Sequence, residues 1–109
     1  MHTAIHTNHA DLVEAFKLYV ERRLRFALGR YGARVGQVTV QVDGSGPAEN
    51  HCRISAEVLP FGWIAVEEND PMLFTAIDRA TGRIGRLFGR KLKHFRDTRV
   101  SHDSVRLAA

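Results

Sequence analysis

The apolar residues of this chain change their spacing twice, from a helical rhythm to a strand rhythm and back, and few folds accommodate that order. From Asp11, the residues Leu12, Val13, Phe16, Val20, Leu24 and Ala27 recur at three- and four-residue spacing, which predicts a helix over about residues 11–29. Asp11 is placed to cap it, with Glu14 three residues on, and Gly29 or Gly32 to end it. Val38, Val40 and Val42 then alternate with Thr39 and Gln41. Cys52, Ile54, Ala56 and Val58 alternate with His51, Arg53, Ser55 and Glu57. After the turn signal Pro60-Phe61-Gly62, a third strand runs from Trp63 to Glu67. One apolar face per strand means a sheet covered on one side. Asp70-Pro71 then reads as a cap followed by a first-turn proline. Leu73, Ile77, Ala80, Ile84, Leu87, Phe88 and Phe95 resume helical spacing.

With a short first strand at Thr3–Thr7, the order is β-α-β-β-β-α, an α+β fold. The first strand is expected to cross over the first helix and lie parallel beside a meander strand, the crossover being right-handed. Both helices then pack on one face of a four-stranded sheet. The 109 residues leave room for one domain, read as 1–96, with 97–109 a short C-terminal tail whose order is left open. No apolar run is long enough to span a membrane. The N-terminus lacks the pattern of a signal peptide, and a lone cysteine builds no disulfide framework. A reducing compartment, the cytoplasm, fits these facts.

The net charge of +4 is unevenly placed. Residues 1–69 hold seven basic and eight acidic side chains, and residues 70–109 hold nine and four. At about 100° per residue, Arg79, Arg83, Arg86 and Arg90 fall within a stripe roughly 60° wide, opposite the apolar face. Lys93 lies at its edge and Arg96 just beyond, with Lys91 nearby in sequence. Like charges at this spacing destabilise an isolated helix, and the helix offers no acid on the stripe. Solvated faces ordinarily mix glutamate with lysine, so an arginine row points to a polyanion. The planar guanidinium, which bonds two oxygens at once, favours phosphate. Lys17, Arg22, Arg23 and Arg25 of the first helix add to the set, with Arg30 and Arg34 after it.

Gly82, Gly85 and Gly89 lie between the apolar face and this stripe, and each costs up to about 1 kcal/mol relative to alanine in a helix. Two readings stand side by side: close approach of the first helix or an RNA backbone, or a tolerated soft helix. Elsewhere the plain readings prevail. His2, His6 and His9 lack cysteine or carboxylate partners, so neither a metal nor another cofactor is implied. His51 and Cys52 point to opposite faces of a strand and cannot act as base and nucleophile; Cys52 reads as core. Asp78 reads as a helix-dipole contact. Glu67 and Glu68 have no loop that would form a pocket, and nothing here reads as an enzyme. Trp63 reads as partly buried at a strand edge.

The run Glu14-Ala15-Phe16-Lys17-Leu18-Tyr19-Val20-Glu21-Arg22-Arg23-Leu24 resembles the first-helix pattern E-A-L-R-E-Y-V-E-K-K-L of the ribosome hibernation promoting factors, or ribosome-associated translation inhibitors. Phe74-Thr75-Ala76-Ile77-Asp78 resembles their Y-A-A-I-D, and Arg83, Ile84, Arg86 and Arg90 fall where that pattern has K, L, R and K. The likeness runs over residues 5–96, in the short form of the family. It implies a translation inhibitor that occupies the mRNA and tRNA channel of the small ribosomal subunit, contacts ribosomal RNA through basic helix faces and is a monomer when free. The carry-over lands on Arg22, Arg23, Arg83, Arg86 and Arg90. The three glycines depart from the pattern, which has D, E and R there, and Phe74 replaces a tyrosine.

The competing reading is a double-stranded RNA-binding module, whose α-β-β-β-α order overlaps this one and whose glycine-proline-histidine loop is faintly matched by Gly46-Pro47 and His51. Such modules carry lysines at the start of the last helix; here that start is Asp70-Pro71-Met72-Leu73-Phe74. A third reading is a structural domain that sets its arginine face against an acidic protein.

Overall fold

The computed structural model describes residues 1–8, 13–44 and 49–108, and their side chains except those of residues 13, 15 and 95–108. Strand β1 (His2–Thr7) is followed by helix α1 (Val13–Leu28), a 3-10 segment (Gly29–Arg34), the strands β2 (Val35–Gly44), β3 (Asn50–Val58) and β4 (Gly62–Asp70), and helix α2 (Leu73–Ala108). The Asp11 cap, the side chains of Leu12 and Val13, and the Gly46-Pro47 loop lie outside the described residues.

The sheet has the order β1-β2-β3-β4. β1 lies parallel to β2 with Ile5 opposite Val40, and the meander is antiparallel, with Val40 opposite Ile54 and Ile54 opposite Val66. This is the expected β-α-β-β-β-α topology, with the parallel first strand reached by crossing over α1. Period-2 alternation turns Val38, Val40, Val42, Cys52, Ile54, Ala56 and Val58 to one face, all fully buried, while Gln37, Gln41 and Arg53 face water. Against the apolar face, α1 sets Phe16, Val20, Leu24 and Leu28, and α2 sets Ala76, Ile77, Ala80, Ile84 and Phe88. Each large side chain so buried contributes about 1.5–3 kcal/mol. Burial pushes the Cys52 thiol up to about 12, with Glu68 adding to the shift, in keeping with its place in the core.

Two junctions position the helices. After α1 the backbone turns at Gly32, whose φ of 49° suits a residue without Cβ. At the entrance to α2, the Asp70 carboxylate accepts the Met72 N–H at 2.8 Å, and Asn50 donates to the Pro71 carbonyl. The helix proper begins at Leu73, so Asp70 caps the turn that leads into it. No helix among the described residues is long and apolar enough to cross a membrane.

Candidate nucleic-acid interface

Where α1 ends and α2 passes it, the two helices touch almost backbone to backbone. A Cβ built on Gly85 would lie 3.0 Å from the Ala27 carbonyl oxygen, and one on Gly89 would collide with the Tyr31 hydroxyl. Tyr31 is fixed there: its hydroxyl donates to the Gly85 carbonyl at 3.2 Å and its ring stacks on Phe88. Close approach of the first helix and the segment after it therefore explains two of the three glycines. Gly82 is different, because a Cβ there would meet only Arg86 Nη1, at 3.4 Å.

Above this contact runs an open furrow. One stretch, of about 270 Å³, is lined by Arg23, Phe26, Ala27, Arg30, Gly82, Gly85 and Arg86. The next is lined by Arg30, Tyr31, Arg86, Gly89, Arg90 and Lys93. The two share Arg30 and Arg86, and no carboxylate lines either. Among the described residues Arg86, Arg90 and Lys93 make no ion pair, and Arg30 lies over the Tyr31 ring, 5.1 Å from its centroid.

The rest of the arginine stripe is engaged. Arg79 pairs with Asp70 at 3.1 Å. Arg83 pairs with Glu68 at 2.8 Å and also donates to the Glu67 carbonyl. Acids on the edge strand β4 thus offset the charge for which α2 itself offers no partner. On α1, Arg22 is exposed and Arg25 lies 3.8 Å from Glu21. Arg23 Nε is shut off from solvent, 3.2 Å from Asp78 Oδ1 but not aligned with it as a hydrogen bond. Asp78 also accepts from the Tyr19 hydroxyl; it ties the helices together, which corrects its reading as a dipole contact. Lys91 is half-buried and does not line the furrow, and the Arg96 side chain lies outside the described residues.

Of the candidate residues, then, the fold gathers Arg23, Arg86, Arg90 and Lys93 around one furrow. Arg30, expected among the basic residues after the first helix, joins them, and the fold adds Phe26, which was not a candidate. The signal for Phe26 is its position: about 200° from Leu24 on a helical projection, it is an aromatic ring on the wet side of α1, and it is 83% exposed. Glu67 pairs with Arg53 on the open face of the sheet, where half-exposed Trp63 stands opposite Glu57.

Residues 3–99 match the family model described as sigma 54 modulation protein / S30EA ribosomal protein. Among solved structures, the crystal structure of the Thermus thermophilus Protein Y N-terminal domain is similar, with 27% identity and a TM-score of 0.71 over 83% of this chain and 98% of that one. A ribosomal subunit interface protein from Coxiella burnetii shares the fold at 10% identity and a TM-score of 0.71, over 85% of this chain and 99% of that one. No curated protein sequence matches.

Proposed function

This chain belongs to the sigma 54 modulation protein / S30EA ribosomal protein family, and from that premise we propose that it is a ribosome-binding hibernation factor which inhibits translation. Membership bears out the resemblance read from the two helical motifs. In this reading the chain acts in the cytoplasm as a monomer and lies in the mRNA and tRNA channel of the small subunit. It works by occupying that space, held by phosphate contacts and without chemistry of its own.

The observation that carries the reading is the furrow, a strip of arginine and lysine without a lining carboxylate, in which Arg86, Arg90 and Lys93 make no ion pair among the described residues. Such a strip neutralises phosphates and releases their counterions. Reversing Arg86, Arg90 and Lys93 to glutamate removes it without touching the core. The triple variant is expected to lose co-sedimentation with small ribosomal subunits while its circular dichroism stays that of the parent. Retained co-sedimentation would exclude the furrow as the site, and a preference for plain duplex RNA over subunits would favour the double-stranded RNA-binding reading.

A further inference from the structure

We propose that the furrow receives one unpaired nucleotide of an RNA strand, its base stacked on Phe26 and its phosphate held between Arg30 and Arg86. The inference rests on the ribosome-binding reading and deepens it. Phe26 is the most exposed large hydrophobic side chain among the described residues, at 83%, yet it stands beside Arg23, Arg30 and Arg86 rather than in an apolar patch. An apolar protein partner would have to desolvate the guanidinium groups of Arg30 and Arg86, for which the described residues offer no carboxylate. The fitting partner presents a flat apolar face and a negative charge together, as an unstacked nucleotide does. A base inside a duplex keeps its face covered.

The shape agrees. Gly82 opens the floor, since a Cβ there would meet only the Arg86 guanidinium. Arg90 and Lys93 continue the furrow beyond it, which suits a strand with further phosphates better than a free mononucleotide.

The test uses the full chain with a mixed-sequence single-stranded oligoribonucleotide, the same strand annealed to its complement, and a free mononucleotide. Phe26→Ala is expected to weaken single-strand binding on the order of tenfold or more. Phe26→Trp, made in a Trp63→Phe background, should keep that affinity, and its fluorescence should be quenched as the strand binds. Phe26→Leu, apolar but without a π-face, should stay weak. Unchanged affinity in Phe26→Ala, full rescue by Phe26→Leu, or a parent that binds duplex or mononucleotide as well as single strand would each overturn the proposal. Co-sedimentation separates its failure from that of the wider reading. Release from subunits by reversing Arg86, Arg90 and Lys93 but not by Phe26→Ala sinks the stacking alone; release by neither sinks both.

Discussion

Gly82 and Gly85 stand three residues apart on one helix under opposite constraints. At Gly85 the obstacle to a side chain is backbone, the Ala27 carbonyl, which cannot swing aside. Gly85→Ala is therefore expected to force the helices apart and cost roughly 1–3 kcal/mol, the usual penalty for overpacking. At Gly82 the added methyl meets only the end of Arg86, so Gly82→Ala should gain up to about 1 kcal/mol of helix propensity. Urea unfolding of the two variants checks the pair, and equal effects would refute the distinction. The sequence marks all three glycines as anomalous but cannot sort them, because what distinguishes them is a neighbour more than fifty residues away in the chain.

Between the helices, Tyr19, Asp78 and Arg23 form a tie whose partners come from both elements. Donation to Asp78, then burial, then the charge of Asp78 raise the Tyr19 pKa above its ordinary value of 10.0, against an opposing effect of Arg23. A raised native value means the contribution is complete below pH 10 and is lost as pH rises through the native pKa. Wild type should accordingly lose more stability above pH 10 than Tyr19→Phe does. At neutral pH, Asp78→Ala should cost about 1–2 kcal/mol, most of it shared with Tyr19→Phe in a double-mutant cycle, because the half-exposed ion pair with Arg23 is itself worth little. Additive effects would show that the tie does not couple the helices. The elements themselves were legible, since a period of 2 or 3.6 is a property of each segment alone: Val38, Val40 and Val42 face the core as their alternation requires. The engagement of Arg79 and Arg83 was not. A helical projection sees one element, and their acids sit on β4, folded back against α2 by the turn at Pro71 and Met72.

Across the whole molecule, the excess charge resolves into two unequal halves. The N-terminal half of the α2 stripe is neutralised by the β4 edge through Asp70 and Glu68, whereas Arg86, Arg90 and Lys93, with Arg30, face the furrow without carboxylates. A cation already paired must give up its acid to meet a phosphate, so it adds less to polyanion binding than an unpaired one. Binding to small ribosomal subunits, followed as a function of salt, should separate the two halves. Each phosphate contact removed from the interface lowers the slope of log K against log salt by about 0.7–0.9. Arg86→Ala and Arg90→Ala are each expected to reduce the slope by about that amount, whereas Arg79→Ala should leave it nearly as in the parent. A reduction by Arg79→Ala as large as that by Arg86→Ala would mean that the ion pairs with β4 break on binding and that the whole stripe, rather than its C-terminal half, meets the RNA.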